Sequence, residues 1–370
     1  MAKYSWNIEV IKDKIKQLKK LLELEKDHRK RKLYRYDIET LECYLDGFYD
    51  TEKEDKIKLL DGYSMVKSSL EKTPFVWDDI KEFKEITEKP LIHIPAVHRC
   101  SLSKEDILDL THDFYKSLNH EFFINFMKNF RRRYDHIAFR NTSATEDKGN
   151  ALTFITTDEA FINVYREFTL DDVFTTIHEY MHTTSNCINH NHLCRPKNLY
   201  MEIDTIFAEL IAADYLESIF KNGAPTLIRA YEHGRYVCTA DELSVKIELL
   251  EYEKLLGHKY NSNKELKLAA KSHCDVLGEE IDELFTSPNF SGIDYLVSYI
   301  FALELYKLYL TDKEKALYYL KKIILLECGS SQEYYYNIKR LGLFPNLTSS
   351  EFHKQFTNEA LTLIRKKPNN

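Results

Sequence analysis

Glycine and proline are scarce in this chain. Ten Gly and eight Pro in 370 residues are about 3% and 2%, against about 7% and 5% in ordinary globular proteins. That shortage argues against an all-β sandwich with a Gly- or Pro-bearing turn every dozen residues, and against a collagen-like repeat. Long apolar runs are also missing; none approaches the roughly 20 residues needed to span a bilayer. The opening MAKYSWNIEVIKDKIKQ has no apolar signal core, so export is not expected. The seven cysteines are odd in number and scattered. Free thiols in a reducing compartment are the simplest account, and a cytoplasmic location is the expectation. Positive charge is not in excess: the formal net charge is −7. Neither nucleic acid nor an anionic membrane is therefore expected as a partner.

The chain is instead rich in long side chains. Charged residues make up 30% and aromatics 13%, with 25 Tyr and 21 Phe. With so few breakers, this predicts a mainly α protein. At roughly 150 residues per domain, the length predicts two or three folding units. Ile8, Ile11, Ile15, Leu18 and Leu22 alternate spacings of three and four. They form one apolar seam on a helix, and Leu41, Tyr44, Leu45 and Phe48 fit the second arm of a hairpin. The basic stretch Lys26–Arg35 reads as a solvated helix face. Pro74, Pro90 and Pro95 mark a boundary. A helical, coiled-coil-like region is thus expected over 1–100 and a second helical domain over 101–370. Ser103 is placed to cap a helix that runs through Leu108, Phe114 and Leu118 to Phe130. Ala151–Thr156 and Ala160–Tyr165 are β-branched and aromatic around a turn-like Thr157–Glu159. They predict two short strands and a small sheet at about 150–165. From Thr169 onward the pattern is helical again.

The chemistry concentrates in His178-Glu179-Tyr180-Met181-His182, an HExxH motif. On a helix, His at i and i+4 share a face, so their ring nitrogens can converge on one metal ion. Thr169 with Asp172 makes a capping box just before the motif, and Asp171 and Asp172 suit the positive end of the helix dipole. Zinc favours neutral imidazole nitrogen and keeps a water in catalytic sites. Glu179 is long enough to take that water's proton. A third ligand is required. Glu202 follows His182 after nineteen residues, at the start of a second helix that can return antiparallel. Glu209, two turns on, shares its face and is a candidate to orient a ligand. One Zn²⁺ per chain, held by His178, His182 and Glu202, is the expected cofactor. Cys187, His190, His192 and Cys194 also bear ligand atoms, but their spacing fits no usual zinc pattern, and they read as a polar loop.

Several segments together resemble the thimet oligopeptidase and oligoendopeptidase F family of zinc peptidases, the oligoendopeptidase F branch above all. Phe161-Ile162-Asn163-Val164 followed by Thr169 to Glu179 is similar to that family's strand and active-site helix. Glu202-Ile203-Asp204-Thr205-Ile206-Phe207-Ala208-Glu209 is similar to the start of its second ligand helix. Tyr295 to Tyr299, with Gly329-Ser330-Ser331 beyond it, resembles its tyrosine-rich segment and the turn that follows. The resemblance spans about residues 100–345.

It implies a zincin-like helical metallopeptidase whose small sheet lines the cleft, acting on oligopeptides. Glu202 is then the third ligand and Glu179 the general base. Tyr299 is the phenol that stabilises the oxyanion, with Tyr295 as second candidate. The strand Phe161, Ile162, Asn163, Val164 is expected to pair with extended substrate backbone. The chain departs from the family in two places. No His lies in Ser287–Asp294, where the family has one that helps hold substrate, and the loop between the ligand helices is a few residues short.

Two other readings stay open. One is a zinc exopeptidase on the same ligands. The nineteen-residue interval equals the thermolysin-like spacing, but Ile206 stands where that family places an Asp. The other is a non-catalytic helical scaffold that retains the zinc site; Glu179 argues against it, since nothing structural needs a glutamate there.

Overall fold

The protein is described here by a computed structural model, over residues 8–49, 101–141, 151–156, 159–166, 169–189, 200–273, 291–326 and 331–342, with positions 358 and 362. The proline-marked boundary at 74–100 lies outside the described residues. The architecture is mainly α with one small sheet.

Helices α1 (Ile8–Leu24) and α2 (His28–Tyr49) pack on each other as a hairpin. The seam that predicted α1 is buried: Ile11, Ile15 and Leu18 meet Ile38 and Leu41 of α2. Each such side chain contributes roughly 1.5–3 kcal/mol when fully buried. The side chains of Tyr44, Leu45 and Phe48 lie outside the described set. Lys26–Arg35 forms the turn and the start of α2. Most of it is exposed, but Arg31 turns inward and donates to the carbonyls of Leu22 (2.6 Å) and Glu25 (2.9 Å). It thereby satisfies carbonyls that the end of α1 leaves without helical partners.

The stretch after Ser103, expected as one helix, is two: α3 (Lys104–Leu118) and α4 (His120–Phe130). Ser103 and Asp106 do form the capping box, at 3.1 and 2.8 Å. The break is Asn119, whose extended backbone (φ −150°, ψ 170°) ends α3. Its side chain accepts the Phe122 N–H at 3.0 Å and starts α4. A short turn, α5 (Arg133–His136), leads into the sheet.

That sheet has three strands: β1 (Ile137–Asn141), β2 (Ala151–Ile155) and β3 (Ala160–Arg166), in the order β1-β3-β2. β2 and β3 are the expected pair and run antiparallel; β1 is additional and runs parallel to β3. Alternation sorts the faces. Ile137, Phe139, Ile162 and Val164 enter the main helical core. Ala138 and Phe161 point the other way and pack under the α1/α2 hairpin. Glu159 fastens hairpin to sheet, pairing with Lys14 at 3.2 Å and Arg132 at 2.6 Å.

The remaining helices are α6 (Leu170–Ile188), α7 (Ile203–Phe220), α8 (Ala224–Leu256), α9 (Asn263–His273), α10 (Ser291–Thr311), α11 (Lys313–Ile324) and α12 (Ser331–Arg340). α7 lies among α6, α8 and α10. Hence IDTIFAELIAADYL is apolar on every side: each face has a helix to cover. Gly223 (φ 79°) and Gly257 (φ 66°) bracket the 33-residue α8 in left-handed conformations that suit glycine. No helix among the described residues is long and apolar enough to cross a membrane.

Candidate metal centre

Helix α6 is held from both ends and from behind. At its start, Asp172 accepts the Thr169 N–H at 3.0 Å. Behind it, the Tyr115 hydroxyl donates to the Ile177 carbonyl at 2.7 Å. At its end, Asn189 donates to the Ile324 carbonyl of α11 at 2.9 Å. Tyr180, inside the motif, is buried beside Phe126 and Phe130, with ring centroids 5.1 and 5.5 Å away. This packing fixes the rotation of α6, which turns His178, Glu179 and His182 to its other flank.

Three donor atoms converge there. Glu202 Oε2 lies 3.1 Å from His178 Nε2 and 3.3 Å from His182 Nε2, and all three atoms fall within 4.8 Å of one another. Donors about 2.0–2.1 Å from a tetrahedral zinc ion stand about 3.3 Å apart. The spacing and the His₂Glu chemistry therefore both fit that ion. Glu202 occupies the residue before α7. It is steadied by Thr205, whose hydroxyl donates to Oε2 at 2.9 Å, and by Ser298 Oγ, which accepts its N–H at 3.3 Å. Glu209, two turns along α7, accepts from His178 Nδ1 at 2.5 Å. That bond orients the ring so that Nε2 faces the other two donor atoms, as carboxylates behind metal-bound histidines do.

The electrostatics agree with a cation site. Burial works against charge on His178, yet its hydrogen bonds to Glu202 and Glu209 hold its pKa well above the ordinary value. Burial likewise opposes charge on His182, and the Glu202 carboxylate more than offsets it. Glu202 stays well below the usual carboxylate range despite burial, because both histidines favour its anion.

Glu179 is almost fully buried, and its Oε2 accepts a hydrogen bond from the Thr153 hydroxyl of β2. Thr153 lies opposite Ile162 in the sheet, on the face that meets α6. The expected pairing of Phe161, Ile162, Asn163 and Val164 with substrate is not available. β3 is the central strand, with β1 on one side and β2 on the other, so both its hydrogen-bonding edges are used. All four side chains are buried. The strand that contacts α6 and reaches Glu179 is β2, which is an edge of the sheet among the described residues.

The two candidate phenols have different surroundings. Tyr299 is buried, and its hydroxyl is hydrogen-bonded to His233 Nδ1 of α8. Burial pushes it up; Arg229 works against that and Glu232 adds to it. Tyr295, one turn earlier on α10, is only partly buried. Its pKa is pushed up to about 12 by burial and then by the Glu202 carboxylate, with Glu179 and Glu209 adding to it. Tyr295 is thus the phenol in the field of the donor set. Thr153 and Thr205 touch the site, and His233 and Tyr236 touch the candidate phenols; of the four only Thr205, three after Glu202, could have been found from helical spacing.

Of the second cysteine–histidine group, His190, His192 and Cys194 lie outside the described residues. Cys187 is half-buried, accepts from Asn129 Nδ2 at 3.3 Å, and has its thiol pushed up by burial. The Ser287–Phe290 stretch and Gly329-Ser330 also lie outside the described residues.

No family model matches the chain, and no curated protein does. Among solved structures it is similar to a "putative peptidase" from Chlamydophila abortus, with a TM-score of 0.51 and 15% identity over 89% of this chain and 61% of that one. A "putative oligoendopeptidase F" from Bacillus anthracis str. Ames gives 0.49 and 14%, over 90% of this chain and 63% of the other. PZ peptidase A, solved with an inhibitor, gives 0.49 and 13%, over 95% and 72%. The chain spans less than two thirds of the first two proteins. The likeness to the first is one of fold.

Proposed function

We propose that this chain is a zinc-dependent endopeptidase acting on oligopeptides. The observation that carries the reading is the convergence of His178 Nε2, His182 Nε2 and Glu202 Oε2 at tetrahedral spacing, with the Glu179 carboxylate next to it in the chain.

A zinc ion bound by those three atoms supplies an acidified water and a Lewis acid for the scissile carbonyl. The chain's own residues do the rest. Glu179 takes the proton of the attacking water and passes it to the leaving amine. Thr153 engages Oε2 of Glu179, which leaves Oε1 for the proton. The Tyr295 phenol, protonated at neutral pH like any tyrosine, donates a hydrogen bond to the developing oxyanion. Glu209 holds His178 in one tautomer. The edge of β2 offers backbone groups to an extended peptide, a grip that reads main chain more than side chains.

A quenched-peptide library assayed with and without chelator tests the reading. Chelator-sensitive cleavage is expected, and it persists on peptides with blocked N-termini. Loss of cleavage on blocking would make the enzyme an aminopeptidase. No chelator-sensitive cleavage of any peptide would favour a non-catalytic scaffold.

A further inference from the structure

Helices α8 and α10 meet along a ladder of polar and aromatic side chains that runs from the core to the metal cluster. At the far end, Arg229 donates to Asp214 Oδ1 and to the Tyr306 hydroxyl, each at 2.8 Å, and Tyr306 donates to Asp214 Oδ2 at 2.6 Å. One turn along α8, His233 is hydrogen-bonded to Tyr299. Nearly one turn further, the Tyr236 ring stacks on Tyr299 (centroids 4.4 Å, interplanar 24°) and lies near-parallel to Tyr295 (6.3 Å, 17°). Residues 229, 233 and 236 fall on one stripe of α8, at i, i+4 and i+7. They meet 306, 299 and 295 of α10 in reverse order, as antiparallel helices require.

We infer that His233 and Tyr236 are positioning residues for the Tyr295 phenol. This rests on the peptidase reading for what the phenol does, and on geometry alone for what holds it. A hydroxyl that must donate to a transient oxyanion is best left without a resting partner. Among the described residues no hydrogen bond reaches the Tyr295 hydroxyl. Its direction must then come from the ring, and the face parallel to that ring is Tyr236. Burial pushes the Tyr236 phenol up, and the Glu209 carboxylate behind His178 adds to it. Tyr299 also stacks on Tyr236, and His233 pins Tyr299 by its hydroxyl. Misplacing a catalytic group by about 1 Å costs about a hundredfold in rate, so a buried ladder that sets the register of α10 has a consequence at the site.

The test places 3-fluorotyrosine at position 295 and reads its ¹⁹F resonance in metal-free protein, alongside kinetics of the zinc-loaded enzyme on a blocked peptide. One narrow resonance is expected in the parent. It should broaden or split in Tyr236→Leu and His233→Leu, and narrow again in His233→Gln, which can still bond the hydroxyl. The two Leu variants should lose about tenfold in kcat with KM changed less than about twofold. In a Tyr295→Phe background they should lose nothing more. A resonance unchanged by both Leu variants, or full losses on top of Tyr295→Phe, would overturn the inference. Should His233→Leu not fold, Tyr299→Phe breaks the same bond with the ring retained. A parent that cleaves no peptide sinks the peptidase reading, while the ¹⁹F result still decides the ladder.

Discussion

Thr153 and Glu179 come from different layers of the protein, a strand edge and a buried helix, yet the Thr153 hydroxyl donates to Glu179 Oε2. The bond engages one carboxylate oxygen; in the proposed mechanism the other takes the proton. Glu179→Gln should keep zinc and lose peptide hydrolysis by about 10²–10⁴-fold, the range for general acid–base groups. Thr153→Val should lower kcat about tenfold and Thr153→Ser should restore it. A valine variant as active as the parent would remove Thr153 from the site.

Purified protein should carry about one zinc per chain. His182→Ala should abolish it, and undiminished zinc in that variant would sink the ligand assignment. Glu209→Gln should weaken zinc affinity about 10–100-fold without abolishing binding, since it orients His178 and is not itself a ligand. A competition titration with a chromophoric chelator measures both.

Tyr295 and Tyr299 should separate under the same substitution. Tyr295→Phe removes an oxyanion donor and should cost about 10²–10³ in kcat. Tyr299→Phe should cost no more than about tenfold, together with roughly 0.5–1.5 kcal/mol of stability from its buried hydrogen bond to His233. Equal kinetic losses, or the reverse order, would return Tyr299 to the catalytic role.

Glu232 makes a pH-dependent contribution to stability without being one of the three donor residues. Burial raises its pKa to about 7, with Glu209 and Asp171 adding to it and Arg235 working against it. Its folded pKa lies above its unfolded value, so the folded state binds the extra proton. The contribution to stability is full below the unfolded pKa and is lost as pH rises through about 7. Glu232→Gln should therefore raise thermal stability at pH 8–9, by about 1–2 kcal/mol, and change little at pH 4–5. Equal effects at both ends would show that the carboxylate is not being protonated on folding.

Much of the site was legible because its chemistry is local. Two histidines four residues apart share a helix face wherever that helix lies, and the Thr169–Asp172 cap placed the motif inside a helix. Glu202 and Glu209, seven apart, follow the same rule. The hairpin seam from Ile11 to Leu22 was legible for the same reason. β1 was missed because Ile137–Asn141 is only five residues long and directly follows a helical turn, and its partner β3 is more than twenty residues away. The break at Asn119 was missed because one extended residue barely disturbs an apolar period.

The sequence by itself determined which side chains can bind a metal and move a proton, since helical geometry brings His178, Glu179 and His182 together within five residues. Tertiary structure alone decided how those groups are aimed. The strand order put β3 at the centre of the sheet and gave the edge to β2, because pairing depends on contacts distant in sequence. The antiparallel meeting of α8 and α10 gave Tyr299 to His233 and set Tyr295 beside Tyr236. Two tyrosines on one helical face look alike until the neighbouring helix sets which of them is buried.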